Sequence, residues 1–196
     1  MKLSSYLKKH QFKHLFQAKR SKGLGGVAGF VLDFSDDLIL MHQLDWNTFQ
    51  LNGYTAIRIE DVTAFRIFDK SAYWQYRAVI LKRLSPSRPR CITLTSLPAL
   101  LASAARGDRL ISLHIEYKQP HVCFIGEMTK ITKNTVTFQD LNCNGEWSGK
   151  RRIKLADITL IGFGGGYEKA LAAAVPARKR AQRQNGLIPS GRRSAK

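Results

Sequence analysis

"GYTAIRIEDVT", residues 53–63, and "GKRRIKLADIT", residues 149–159, follow one pattern 96 residues apart. Gly53 meets Gly149, Ile57 meets Ile153, Ile59 meets Leu155, Asp61 meets Asp157, Val62 meets Ile158 and Thr63 meets Thr159, without a gap. Apolar alternation on either side of an Asp-[Val/Ile]-Thr step reads as strand, tight joint, strand. Each copy then continues through a short apolar strand to a tyrosine that opens a helix, Tyr73 or Tyr167. A repeat at fixed spacing takes precedence over every local reading, because it means that one supersecondary unit is built twice.

Working upstream, "VAGFVLDFSDDLILMHQLD" (27–45) and "HVCFIGEMTKITKNTVTFQDL" (121–141) each read as strand, polar turn, strand. Asp36-Asp37 falls in the tip of the first hairpin, where the second has Lys133-Asn134. Between the copies, "CITLT" (91–95) reads as a strand, Ser96 and Pro98 open a short helix that Gly107 ends, and "LISLHIEYK" (110–118) alternates as a strand with one apolar face. The expected organisation is a basic N-terminal helix or arm over 1–24, a first module over 25–84, a connector over 85–107, a second module over 108–175, and a basic disordered tail over 176–196. Modules of four or five bent strands closed by a helix resemble SH3-like or Sm-like small β-barrels, with "IRIEDVT" and "IKLADIT" as the most specific residues. The resemblance implies a mainly β chain of two small barrels, each ending in a helix. It departs from the Sm pattern in lacking an Arg-Gly step on the fourth strand and in placing the helix after the strands.

Gly164-Gly165-Gly166 lies between a strand and a helix, where many folds cradle phosphate. The repeat argues otherwise. The matching joint in the first copy is Phe68-Asp69-Lys70-Ser71, without glycine, and Tyr167 occupies the position that a dinucleotide fingerprint needs as glycine. The glycines therefore read as a strand-to-helix turn, with positive φ expected at Gly165. His121 and Cys123 stand at i, i+2, a thiol–imidazole spacing without a third residue to orient the pair; a structural cysteine is the reading. His10 and His14, at i, i+4 among Lys8, Lys9 and Lys13, make a poor cation site. Asp61 and Asp157 read as residues bonding their own backbone. No catalytic residue, cofactor or metal is expected.

The formal charge is +18. Residues 1–32 hold seven Lys or Arg and no acid, and residues 169–196 hold eight and no acid, leaving 17 basic against 14 acidic residues between them. Three cysteines without pair spacing argue against a disulfide framework and for a reducing, cytoplasmic setting, and no stretch has the apolar length of a signal core or a membrane span. In "GKRRIKLAD", Ile153 and Leu155 point one way, so Lys150, Arg152 and Lys154 point the other as a basic stripe. With Arg151 and the tail cations Arg178, Lys179, Arg180, Arg183, Arg192 and Arg193, the stripe is the expected contact for nucleic acid, bound through phosphates with little base readout. A protein-binding adaptor is the alternative. Tyr73, Trp74 and Tyr76 beside Arg66 and Arg77 read as helix core, with a base-stacking platform as the sharper option.

Overall fold

The computed structural model describes residues 3–21, 23–67, 83–108 and 110–185, with Leu3 and 176–185 as backbone only. Helix α1 (Leu3–His10) leads into β1 (Leu15–Arg20), β2 (Val27–Phe34), β3 (Leu38–Asp45), β4 (Gln50–Arg58) and β5 (Val62–Ile67). Helix α2 (Leu97–Gly107) leads into β6 (Ile111–His114), β7 (Cys123–Ile131), β8 (Thr135–Leu141), β9 (Trp147–Lys154) and β10 (Leu160–Phe163), and α3 spans Gly166–Asn185. The strands form one open antiparallel sheet in the order β5-β1-β2-β3-β4-β10-β6-β7-β8-β9. The two five-strand sets are thus joined by a backbone ladder at β4·β10, with Leu160 opposite Ile57 and Phe163 opposite Tyr54.

Local chemistry explains the main turns. Ser35 closes β2–β3: its N–H donates to Leu38 O at 2.9 Å while its hydroxyl accepts from Leu38 N. Thr132 does the same for β7–β8, with its N–H on Thr135 O at 2.8 Å and its hydroxyl accepting from Thr135 N. Ser96 caps α2 by accepting from Ala99 N, and Pro98 sits in the first turn where a missing donor costs nothing. The bounds of α1 to β5, moved 96 residues on, fall on α2 to β10.

A helix precedes each five-strand set and α3 follows the second; the helix expected from about Ser71 lies outside the described residues. Three expectations change. The 1–24 arm contains β1, in which Leu15, Phe16, Ala18 and Arg20 are buried while Gln17 and Lys19 are exposed; a buried arginine hid the alternation. "CITLT" is not a strand, because the connector bonds to α2 instead of the sheet, with Thr93 N donating to Ser103 Oγ at 3.0 Å. Residues 176–185 are helical, as part of α3.

The largest core cluster crosses the β4·β10 ladder, packing Leu32, Leu38, Leu40 and Ala56 with Ile111, Leu113, Phe138 and Phe163 under Leu100 and Leu101 of α2. A second cluster holds Leu7 of α1, Phe16, Val31, Ile39 and Met41. Neighbouring residues of β3 enter opposite clusters, which is why "LILM" is continuously apolar. Four ladder steps separate β1 from β10, about 19 Å in a flat sheet, yet Arg20 Nη1 reaches Thr159 O at 3.3 Å. Five steps separate β4 from β9, yet Arg58 Nη2 donates to Leu155 O at 2.6 Å. Both sets therefore curl back on themselves without a ladder closing either.

Candidate nucleic-acid interface

β9 pairs with β8 so that Lys150 faces Gln139, Arg152 faces Thr137 and Lys154 faces Thr135. Val136, Phe138 and Ile153 point inward and are buried, which leaves the three cations on the outer face. A bulge in β7 between Met128 and Lys130 brings Lys130 opposite Thr137, in one row with Arg152. Lys130, Lys150, Arg152 and Lys154 are exposed and form no ion pair among the described residues. Along β9 successive cations stand about 6.7 Å apart, and Lys130 lies two ladder steps, about 10 Å, from Arg152. The half-buried Glu127 lies on this face too, in one row with Gln139 and Lys150.

Arg151 belongs elsewhere. It shares the inner face with Phe138, its Nε donates to Asp140 Oδ2 at 2.8 Å, and its guanidinium lies 4.3 Å over the Phe124 ring. Its charge is therefore paired with Asp140 although its side chain stays 44% exposed, and the unpaired basic stripe is made without it. Helix α3 packs Leu171 and Val175 on Leu110, Ile125 and Leu141, and Ile125 and Leu141 stand two residues from Glu127 and Gln139 on their strands. The helix and the stripe thus share one face of the sheet. Arg178, Lys179, Arg180 and Arg183 lie on α3 rather than in a tail, since the Ala, Arg, Lys and Gln that follow Leu171 are strong helix formers. Pro176 lacks the N–H that the Ala172 carbonyl would otherwise receive. Arg192 and Arg193 lie outside the described residues, as do Tyr73, Trp74, Tyr76 and Arg77.

The glycine joint is a backbone crossing. Gly164, rather than Gly165, is left-handed (φ 67°), and a Cβ on Gly53 (φ 72°) would stand 2.5 Å from Gly165 N. Where an anion would meet the start of α3, Asn52 Oδ1 already accepts from Gly166 N at 2.7 Å, and Glu168 in the first turn accepts from Ser112 Oγ at 2.8 Å. The site holds its own acceptors.

His121 is a left-handed residue (φ 70°) before β7 rather than on it, and the residue opposite Cys123 in the ladder is His114. Although Cys123 presents surface to solvent, burial of its sulfur pushes the thiol up to about 11, with the Glu168 carboxylate adding to the rise and a Ser112 hydrogen bond offsetting part of it. A thiol held this way is the opposite of an activated nucleophile. Burial also lowers the His114 imidazole, with Arg20 adding to that against Glu116 and Glu168. The Nδ1 atoms of His10 and His14 lie 3.2 Å apart, within hydrogen-bond reach, and no group of three His, Cys, Asp or Glu among the described residues is placed to hold a metal. Asp61 and Asp157 do not bond their own backbone: Asp61 accepts from Tyr117 OH at 2.8 Å and Asp157 pairs with Lys118 at 2.7 Å.

Sequence reasoning missed Lys130, which only the bulge aligns with β9. It also missed the buried Arg20–Glu116 pair, with two contacts of 2.8 Å, although those residues stand 96 apart, the offset at which the two sequence stretches align. Opposite charges at that offset were the available signal. No helix among the described residues is long and apolar enough to cross a membrane. No protein-family model matches the chain, and no curated protein and no solved structure matches it either.

Proposed function

We propose that the chain is a non-enzymatic nucleic-acid-binding protein that grips phosphates through the outer face of β7–β9 and the cationic stretch of α3. Its two five-strand sets are, in this reading, copies of one SH3-like or Sm-like module, fused at β4·β10 and working in a reducing, cytoplasmic setting. The observation that carries the function is the group Lys130, Lys150, Arg152 and Lys154, exposed and unpaired on one face of a chain with net charge +18. Unpaired cations at strand spacing neutralise phosphates and release counterions, and they read no base edges.

The test is affinity against salt for wild type and for K150A/R152A/K154A, using duplexes and single strands of mixed sequence. Engaging about five phosphates gives a log–log slope near −4.5, and losing three of them should flatten it by about 2.7. Removing residues 176–196, which deletes seven cations, should weaken binding to all sequences alike. R151A should lower stability and leave the slope in place. Equal slopes for wild type and the triple variant would refute the assignment. The open strand edges at β5 and β9 favour a protein partner as the second reading, because such edges accept extended peptides.

A further inference from the structure

One strand edge of this sheet is used twice by the chain's architecture and filled once. β4 pairs on one side with β3 and on the other with β10. β9, the strand 96 residues on, pairs with β8 on one side and with no described strand on the other. The glycine that opens the matched stretch has positive φ in both, 129° at Gly149 and 72° at Gly53. A Cβ on Gly53 would strike Gly165, whereas one on Gly149 would meet nothing within 4 Å. The side chains differ in charge, since Tyr54, Thr55, Ala56 and Arg58 are replaced by Lys150, Arg151, Arg152 and Lys154.

We propose that the open edge of β9 binds an extended acidic segment of another protein, taken up as an antiparallel eleventh strand. The β4·β10 register states what it must carry. A strand placed on β9 as β10 is on β4 sets its residues against Ile153, Arg152, Arg151 and Lys150 in place of Ile57, Ala56, Thr55 and Tyr54. The residue against Ile153 is apolar, those against Arg152 and Lys150 are acidic, and a further acid two residues before the Arg152 partner meets Lys154. Acids at alternate positions therefore lie on the outer face beside the cations, and backbone hydrogen bonds supply the rest. A second copy of this chain is a poor occupant: its own open edge, β5, would set Arg66 against Arg151 and Phe65 against Arg152, with no acid in the strand. The edge is distinct from the phosphate-binding reading but shares its side chains, so the segment and nucleic acid exclude one another.

The probe is a fluorescent seven-residue peptide alternating Glu and Val, measured by anisotropy without nucleic acid, so that its failure and the failure of phosphate binding are separate results. Wild type should bind it with micromolar Kd, and the amides of 149–154 should gain hydrogen-exchange protection. N-methylation of alternate backbone nitrogens, which leaves every charge in place, should weaken binding at least tenfold. K150E/R152E, checked for fold by circular dichroism, should lose this peptide and bind its Lys-Val counterpart. Equal binding of the N-methylated peptide would overturn the proposal as mere charge attraction, as would protection confined to another strand. So would a chain that dimerises in solution through β5 and β9, shown by a mass that falls to the monomer's on changing Phe65 and Arg66.

Discussion

Replacing Glu116 by Gln should cost this protein more than any surface change, because it leaves a buried guanidinium without its charge partner. Arg20 is buried, with its side chain 1% exposed against 10% for Glu116. Both carboxylate oxygens accept from it at 2.8 Å, and Thr159 Oγ1 and Gly25 N donate to the same carboxylate. In E116Q, Arg20 keeps the carbonyls of Gly25 and Thr159 and one neutral amide oxygen in place of two carboxylate oxygens. Breaking a buried pair from one side costs about 3–5 kcal/mol, and at about 2–4 °C per kcal/mol for a chain of this size the melting temperature should fall by about 6–20 °C. R20M/E116L removes both charges and should recover most of the loss. Burial alone would raise the Glu116 carboxyl, but the bonds from Arg20, Thr159 and Gly25 hold it below its ordinary 4.5. A folded value below the unfolded one means that the contribution is complete above pH 4.5 and is lost as pH falls through the folded value. E116Q should therefore flatten stability against pH on the acid side. Thermal melts and urea titrations of the three proteins at pH 7 and pH 4 measure all of this. A shift under about 2 °C for E116Q, or a double variant no better than E116Q, would refute the reasoning.

G53A should destabilise more than G149A: both replace a positive-φ glycine, at about 1–2 kcal/mol, but only at Gly53 does the new methyl strike backbone; chemical denaturation of the pair separates strain from collision. S96A should cost about 1 kcal/mol through loss of the α2 cap, read from the same curves. Cys123 should alkylate slowly at pH 7.5, its rate rising about tenfold per pH unit up to about 11, as peptide mapping after timed iodoacetamide exposure would show.

The hairpins and the α2 cap were legible because each is written in local chemistry: Ser35, Thr132 and Ser96 sit where turns and helix starts need a hydroxyl acceptor. The outer placement of Lys150, Arg152 and Lys154 followed from strand alternation. What escaped was non-local. Arg151 obeys the same alternation, but only the fold shows that it meets Asp140 and Phe124. β1 was hidden because its last inward position is an arginine whose partner lies 96 residues away. The union of both sets in one sheet depends on β10, a four-residue strand whose neighbours β4 and β6 cannot be deduced from its own composition.

That strand has a consequence for how the protein is made. Among the described strands β10 is the last to leave the ribosome, yet it occupies the middle of the finished sheet. Until residues 160–163 emerge, the flanks of β4 and β6 that it will cover are both bare, and bare flanks are where nascent chains stick to one another. Synthesis therefore carries its longest exposure through the many residues between β4 and β10, and closes it in a single late insertion that also delivers Gly166 to Asn52 and starts α3. A chain stopped just short of residue 160 would lack only four of its strand residues, but it would be two half-sheets with sticky inner margins.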